Sequence, residues 1–164
     1  MPCKAALKDF KSWKAYSLNS LFNIRKGKRL TKATMTQGNT PHIGSIDSNN
    51  GVSGLIGQKP IHEANTITVN YDGSVGEAFY QSAKFWATDA VNVLYPRFKL
   101  TPSIAMFLIA VIRLEKYRFN YGRKWNKGRM EESLIKLPAA ADGQPDWQLM
   151  DDYIKGLPYS SVLQ

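Results

Sequence analysis

Five cations crowd one short stretch of this chain. Arg25, Lys26, Lys28, Arg29 and Lys32 fall within eight positions, with no acidic residue among them. A second run, Arg113, Lys116, Arg118, Arg123, Lys124, Lys127 and Arg129, is offset only by Glu115 and is interleaved with Tyr117, Phe119, Tyr121 and Trp125. Cations at this density suit a polyphosphate, because each neutralised phosphate releases condensed counterions. Rings among cations offer faces on which bases stack. The same rings can simply pack beneath the fold, and the division predicted is Phe119 and Trp125 inward, Arg123 and Lys124 outward. Phosphate contact is assigned to Arg25, Lys26, Lys28, Arg29, Lys32, Lys84, Arg123, Lys124, Lys127 and Arg129. Reading a sequence needs amide and hydroxyl groups at base edges as well. The candidates are Asn49 and Asn50, in the turn Asp47–Gly51, and Tyr80, Gln81 and Ser82 beside Lys84. The plain alternative for Asn-Asn-Gly is a turn and nothing more.

The charge of the whole chain agrees. Net charge is +9, and residues 1–129 hold 20 Lys/Arg against 7 Asp/Glu while residues 130–164 hold 2 against 6. The positive field therefore belongs to the first four-fifths, which points to nucleic acid or an anionic surface.

Catalytic constellations are missing. No Gly-x-x-x-x-Gly-Lys-Ser/Thr or Gly-x-Ser-x-Gly occurs, and Gly51, Gly54 and Gly57 have the wrong spacing for a dinucleotide loop. His42 and His62 lack a second ligand at helical spacing, and Cys3 is a lone thiol. No Pro-Pro occurs, so a methyltransferase motif ending in Pro-Pro-aromatic is excluded. Pro145-Asp146 followed by Asp152–Lys155 is one residue too long for a metal-dependent nuclease and falls on a predicted helix. Glu77 and Asp89 read as a turn and a strand end. The expectation is a chain with no catalytic centre, no metal and no cofactor of its own.

Positioning these groups requires a scaffold. The 164 residues suffice for one domain with a hydrophobic core. The pattern predicts α+β: a single domain over 1–164, core about 10–158, with a β-rich core of short strands, a buried helix near 102–116 and a short C-terminal helix near 146–157. An entry strand is expected at Trp13–Tyr16 and a helical turn at Leu18–Phe22. Strands follow at Pro41–Ile46, Val52–Ile56, Thr66–Tyr71 and in the block from Glu77 to Leu94. Thr101-Pro102 reads as an N-cap followed by proline at the first helical position. The segment to Lys116 is apolar nearly all round, which predicts burial. Asp146 caps the last helix, with Trp147, Met150, Ile154 and Leu157 on one stripe. Gly27, between two basic pairs, is read as permitting an unusual backbone angle. No run of eighteen apolar residues occurs, and the N-terminus lacks a signal-peptide core, so the expectation is a cytoplasmic protein without a membrane span.

Several segments together resemble a known family. Trp13…Leu18…Leu21-Phe22 is followed by Gly27-Lys28-Arg29-Leu30, Thr40-Pro41-His42-Ile43-Gly44 and Asn49-Asn50-Gly51-Val52. Then come Gly73-Ser74-Val75-Gly76 and Ala87-Thr88-Asp89-Ala90-Val91-Asn92-Val93-Leu94. The order resembles the target recognition domain of type I restriction–modification specificity subunits. The tail, from Ile135-Lys136-Leu137-Pro138 through Asp142-Gly143-Gln144-Pro145-Asp146-Trp147 to Met150-Asp151-Asp152-Tyr153-Ile154, is similar to the variant found with type IIB and IIG restriction enzymes. The resemblance implies binding to half of a target site in duplex DNA. It also implies an adenine-specific methyltransferase subunit or module as partner, with S-adenosylmethionine held by that partner, and an endonuclease subunit or module. Family members usually carry two such domains and this chain reads as one, so a homodimer on a roughly palindromic site is one expected form. Two further readings stay open: an adaptor or decoy docking on the methyltransferase through the acidic tail and the helix from Asp146 to Leu157, and an RNA-binding module built on 113–129.

Overall fold

The computed structural model describes residues 6–7, 9–158 and 160–163; Cys3 lies outside the described residues. The entry strand β1 (Lys14–Ser17) ends at a residue with two jobs, because the Ser17 hydroxyl accepts from Ser20 N at 3.1 Å and caps the single turn α1 (Leu18–Leu21). Leu18 and Leu21 are buried, and the chain leaves the turn directly as β2 (Phe22–Lys26). This strand was not expected: Ile24-Arg25-Lys26 reads as a charge cluster. Cations are nonetheless at home here, because β2 is an edge strand, and edge charges discourage further pairing.

The hairpin of β3 (Thr40–Ile43) and β4 (Val52–Ile56) turns through Asn49–Gly51, with all three turn residues at positive φ. Next come β5 (Thr66–Asn70), β6 (Ala78–Gln81), the two-residue β7 (Trp86–Ala87) and β8 (Val91–Pro96). They assemble as an antiparallel four-stranded sheet, β2-β8-β5-β6, and a three-stranded sheet, β4-β3-β7, in which β3 and β7 run parallel. Helices α2 (Pro102–Leu114) and α3 (Lys127–Glu132) precede β9 (Leu134–Leu137), which pairs with β1, and α4 (Trp147–Lys155) follows.

Register sorts the four-stranded sheet into two faces, because residues directly opposite one another share a side. Ile24, Leu94 and Ile67 face α2 and the main core, with Val69 and Ala78. Val91 and Val93 face the three-stranded sheet, packing with Ile43, Phe85 and Ala87. That second interface is unusually polar. Thr68 and Asn70, opposite Val93 and Val91, and Thr66 and Gln81, paired on the same side, are all buried. Buried polar groups need partners. Asn70 Nδ2 donates to Ile46 O at 2.9 Å, Thr66 Oγ1 to Glu63 O at 3.1 Å, and Gln81 Nε2 to Thr68 Oγ1 at 3.2 Å.

The helix boundaries follow the caps. Thr101 Oγ1 accepts from Ile104 N at 3.1 Å and donates to Asp151 Oδ1 at 2.6 Å, tying the start of α2 to α4. Asp146 Oδ1 accepts from Leu149 N at 3.0 Å, as expected of the last helix. The expected burial of α2 holds for one side only, since Leu114 is 72% exposed. Gly27 also differs from expectation. It is absent from the positive-φ residues, and its role is proximity: a Cβ there would overlap the Thr88 and Ala87 carbonyl oxygens.

Candidate nucleic-acid interface

The basic stretch begins on β2 and leaves it as a loop over the outer side of the three-stranded sheet. Arg25, beside Val93 in register, extends on the sheet's second face and places its guanidinium 4.4 Å from the Tyr95 ring centre. Lys26 alternates to the other face, and its ammonium lies 5.4 Å from the Tyr71 ring. Lys28 is held by its backbone: its N donates to Ala87 O at 2.8 Å, and its carbonyl accepts from Trp86 Nε1 at 2.8 Å. The side chains of Lys28, Arg29 and Lys32 are exposed and have no carboxylate partner among the described residues. Gln58 pins the far end of the loop, donating to Thr34 O at 2.6 Å.

The second cluster rests on a ring stack. Phe119 and Trp125 are buried, 4.7 Å apart and nearly parallel, and Trp125 Nε1 donates to Ser133 Oγ at 2.9 Å. Arg123 is exposed above this stack, 5.7 Å from the Phe119 ring, and Lys124 is half-exposed, so the predicted inward and outward division holds. Arg129 Nη1 donates to Lys124 O at 2.9 Å. Lys127 reaches Glu131 at 3.5 Å, one turn along α3.

Tyr71 and Asp72 bring the two clusters together, and neither was singled out in the sequence. Lys26 lies against Tyr71; Lys124 pairs with Asp72 at 2.7 Å and lies 5.4 Å from the Tyr121 ring. Hydrogen bonds from Lys124 and from Gly73 N, at 2.9 Å, hold the Asp72 carboxyl below the usual carboxylate range, and the same bond raises the Lys124 ammonium. The available signal was position, since Tyr71-Asp72-Gly73 is where β5 ends in a turn. Lys84 stands apart, paired with Glu63 at 3.2 Å. Arg113, Lys116 and Arg118 are turned to local use: Glu77 binds Arg113 and Lys116, and Glu115 binds Arg118 at 2.6 Å.

The amide candidates occupy one corner above β6. Asn50, at φ 53°, donates to Tyr80 O at 2.9 Å, and Gln81 Nε2 donates back to Asn50 O at 3.1 Å. Asn49 Nδ2 donates to Val52 O at 2.9 Å, and Tyr80 Oη to Asn65 Oδ1 at 2.9 Å. Burial raises the Tyr80 phenol above its ordinary value. Gln81 is 5% exposed, whereas Asn49, Asn50 and Ser82 are exposed.

His62 lies beneath the Arg25 corner. Its Nδ1 is 2.9 Å from Tyr95 Oη and its ring stacks on Phe85 at 5.2 Å. Burial, with help from Arg25, lowers its pKa to about 4. The unfolded ring takes up its proton near pH 6.5 and the folded ring near 4. Its contribution is therefore complete above pH 6.5 and drains away as pH falls towards 4. The loss is on the order of 3 kcal/mol, and His62→Phe should flatten that part of a stability–pH curve measured by urea unfolding.

Among the described residues no three histidine, cysteine or acidic side chains group to hold a metal, and no helix is long and apolar enough to cross a membrane.

The family model for the type I restriction modification DNA specificity domain matches residues 11–158. The S.BcgI specificity subunit of a type II restriction enzyme, from Heyndrickxia coagulans, is 40% identical over 154 residues. That alignment covers 91% of this chain and 44% of that protein, so the chain spans under half the length of the relative. Two solved structures share the fold. The S subunit of a type I restriction-modification system from M. genitalium matches with a TM-score of 0.66 at 18% identity, and the HsdS subunit from Thermoanaerobacter tengcongensis with 0.65 at 13%. Each match covers 93% of this chain and 39% of the other.

Proposed function

This chain belongs to the type I restriction modification DNA specificity domain family, and on that premise we propose that residues 10–158 are one target recognition domain that reads a sequence in duplex DNA for a restriction–modification assembly. The observation that carries the reading is the meeting of two basic clusters at Tyr71 and Asp72. It joins Lys26 on the sheet edge to Lys124, Arg129 and Arg123 around the Phe119–Trp125 stack. One strip of cations can then follow one phosphate backbone.

In this proposal Lys28, Arg29 and Lys32, together with Arg25, Lys26, Arg123, Lys124, Lys127 and Arg129, contact phosphate. Lys84 contributes at the margin, its charge shared with Glu63. The exposed turn Asn49–Asn50 and Ser82 approach the bases, with Tyr80 at their flank. Gln81 acts through Asn50: its amide is spent in the fold, so it sets the angle of the reading turn. Catalysis resides elsewhere, in an adenine methyltransferase that uses S-adenosylmethionine and in an endonuclease. A pair of such domains, on one chain or two, would read the two halves of a site.

The test is binding to a library of duplexes at two salt concentrations. Affinity should fall steeply with salt, as several phosphate contacts require, and single-stranded RNA should compete poorly. Gln81→Ala should redistribute the preferred sequences and leave the salt slope unchanged. A shallow slope, or RNA binding tighter than duplex, refutes the reading.

A further inference from the structure

The basic part of the chain, residues 1–129, holds 7 acids among 20 cations, and all but one of those acids are engaged. Asp9 and Asp89 accept hydrogen bonds, from Lys11 N at 3.2 Å and from the Thr88 hydroxyl at 3.1 Å. Glu63, Asp72, Glu77 and Glu115 each hold a lysine or an arginine. The exception is Asp47. It is exposed, and its carboxylate has neither a hydrogen bond nor an ion pair among the described residues.

The backbone around Asp47 is nevertheless fixed. Asn70 Nδ2 donates to the carbonyl of Ile46 before it at 2.9 Å. Gly51 N donates to the carbonyl of Ser48 after it at 2.9 Å, and Gly44 N donates to Gly51 O at 2.9 Å to close the turn. The Ser45 hydroxyl donates to Asp72 O. The turn therefore stands beside the residue that pairs with Lys124, and next to Tyr71, against which Lys26 lies. Asn49 and Asn50 follow directly in the same turn.

A free carboxylate here repels the same phosphates that the neighbouring cations attract. The repulsion is offset where the carboxylate meets a donor, and it can only accept. The donors on the base edges of a duplex are exocyclic amino groups. In the major groove guanine and thymine present acceptors, and the amino group of adenine stands beside the acceptor N7. Cytosine presents N4–H with no acceptor of its own on that edge.

We propose that Asp47 is a specificity residue of the reading turn, its carboxylate accepting a hydrogen bond from the N4 amino group of a cytosine in the major groove. This rests on the duplex-reading function proposed above and adds to it the identity of one base.

The probe is the set of duplexes that the full chain selects from a randomised library. One position in them should be held as cytosine. Asp47→Ala should lose that preference, about tenfold, while the other positions keep theirs. It should also bind unrelated duplexes more tightly, because a repulsive charge is gone. Asp47→Asn, able to grip adenine through N6 and N7, should move the preference at that position to adenine. N4-methylcytosine keeps its pairing but turns a methyl group into the major groove. Placed at that position, it should weaken the parent chain about tenfold and leave Asp47→Ala unaffected. Inosine opposite the cytosine removes only a minor-groove amino group and should change nothing. Neither variant removes a bond of the fold, so thermal unfolding should stay as in the parent. An unaltered order of preference in Asp47→Ala overturns the assignment and leaves duplex reading standing. So does a loss with inosine and none with N4-methylcytosine, which would put the carboxylate in the minor groove. A chain that selects no duplex refutes both.

Discussion

Replacing Lys28 and Arg29 together with alanine is expected to weaken binding to every duplex alike, on the order of 100-fold at moderate salt, at roughly 1.4 kcal/mol for each charge-assisted contact. The argument rests on how the loop is held. Lys28 is fixed through its backbone, by Ala87 O and Trp86 Nε1, and Gly27 N donates to Val91 O at 2.9 Å. None of these bonds involves the side chains that are removed, so the loop should stay where it is. The loss should then appear as a shallower salt dependence, by about 2 in the log–log slope, with the order of preferred sequences retained. Fluorescence anisotropy between 50 mM and 200 mM salt measures both. An unchanged slope would move the DNA-contacting face away from the three-stranded sheet.

Trp125→Ala should damage folding and binding together. The indole is fully buried, stacked on Phe119 and hydrogen-bonded to Ser133, which itself donates to Arg129 O at 2.7 Å. Removing it leaves a large cavity and takes from Ser133 Oγ the N–H it accepts, while its own bond to Arg129 O remains, a cost of about 3–5 kcal/mol. In a chain of this size that lowers Tm by roughly 10 °C. The segment supported by the stack carries Arg123, Lys124 and Arg129. Affinity should therefore fall even at temperatures where the variant remains folded. Trp125→Phe, which keeps the ring but not the N–H, should recover most of the stability. A Tm within 2–3 °C of the parent for Trp125→Ala would mean that the stack is dispensable.

The sequence made some parts of this molecule plain and concealed others for identifiable reasons. Thr66–Asn70 declared itself by β-branched alternation, and Thr101 and Asp146 by cap chemistry, because these signals are local. β2 was hidden because a charged edge strand and a charged loop have the same composition. β7 was hidden because two residues carry no period, and its partner β3 lies more than forty positions away. The cations of the proposed interface could be named by type. Their union could not, because it depends on Tyr71 and Asp72 being carried to Lys26 and Lys124 by the β5 turn. Asn50 and Gln81 make the limit clearest. Two amides look alike in a sequence, and only burial separates the one left at the surface from the one bound inside. The same holds for α2, whose apolar circumference was legible but whose uncovered side was not.

The buried amides Asn70 and Gln81, which reach from the four-stranded sheet to the connection between β3 and β4, have a mechanical consequence. Oily layers can slide past each other at little cost, since dispersion forces hardly depend on direction. Donor–acceptor pairs weaken steeply with misalignment, so they act as dowels that fix one sheet's angle on the other. The turn beyond β3 is thus presented at a constant pitch by Asn70 and Gln81. New specificities should be reached more readily by exchanging residues at its tip than by repacking the joint that carries it.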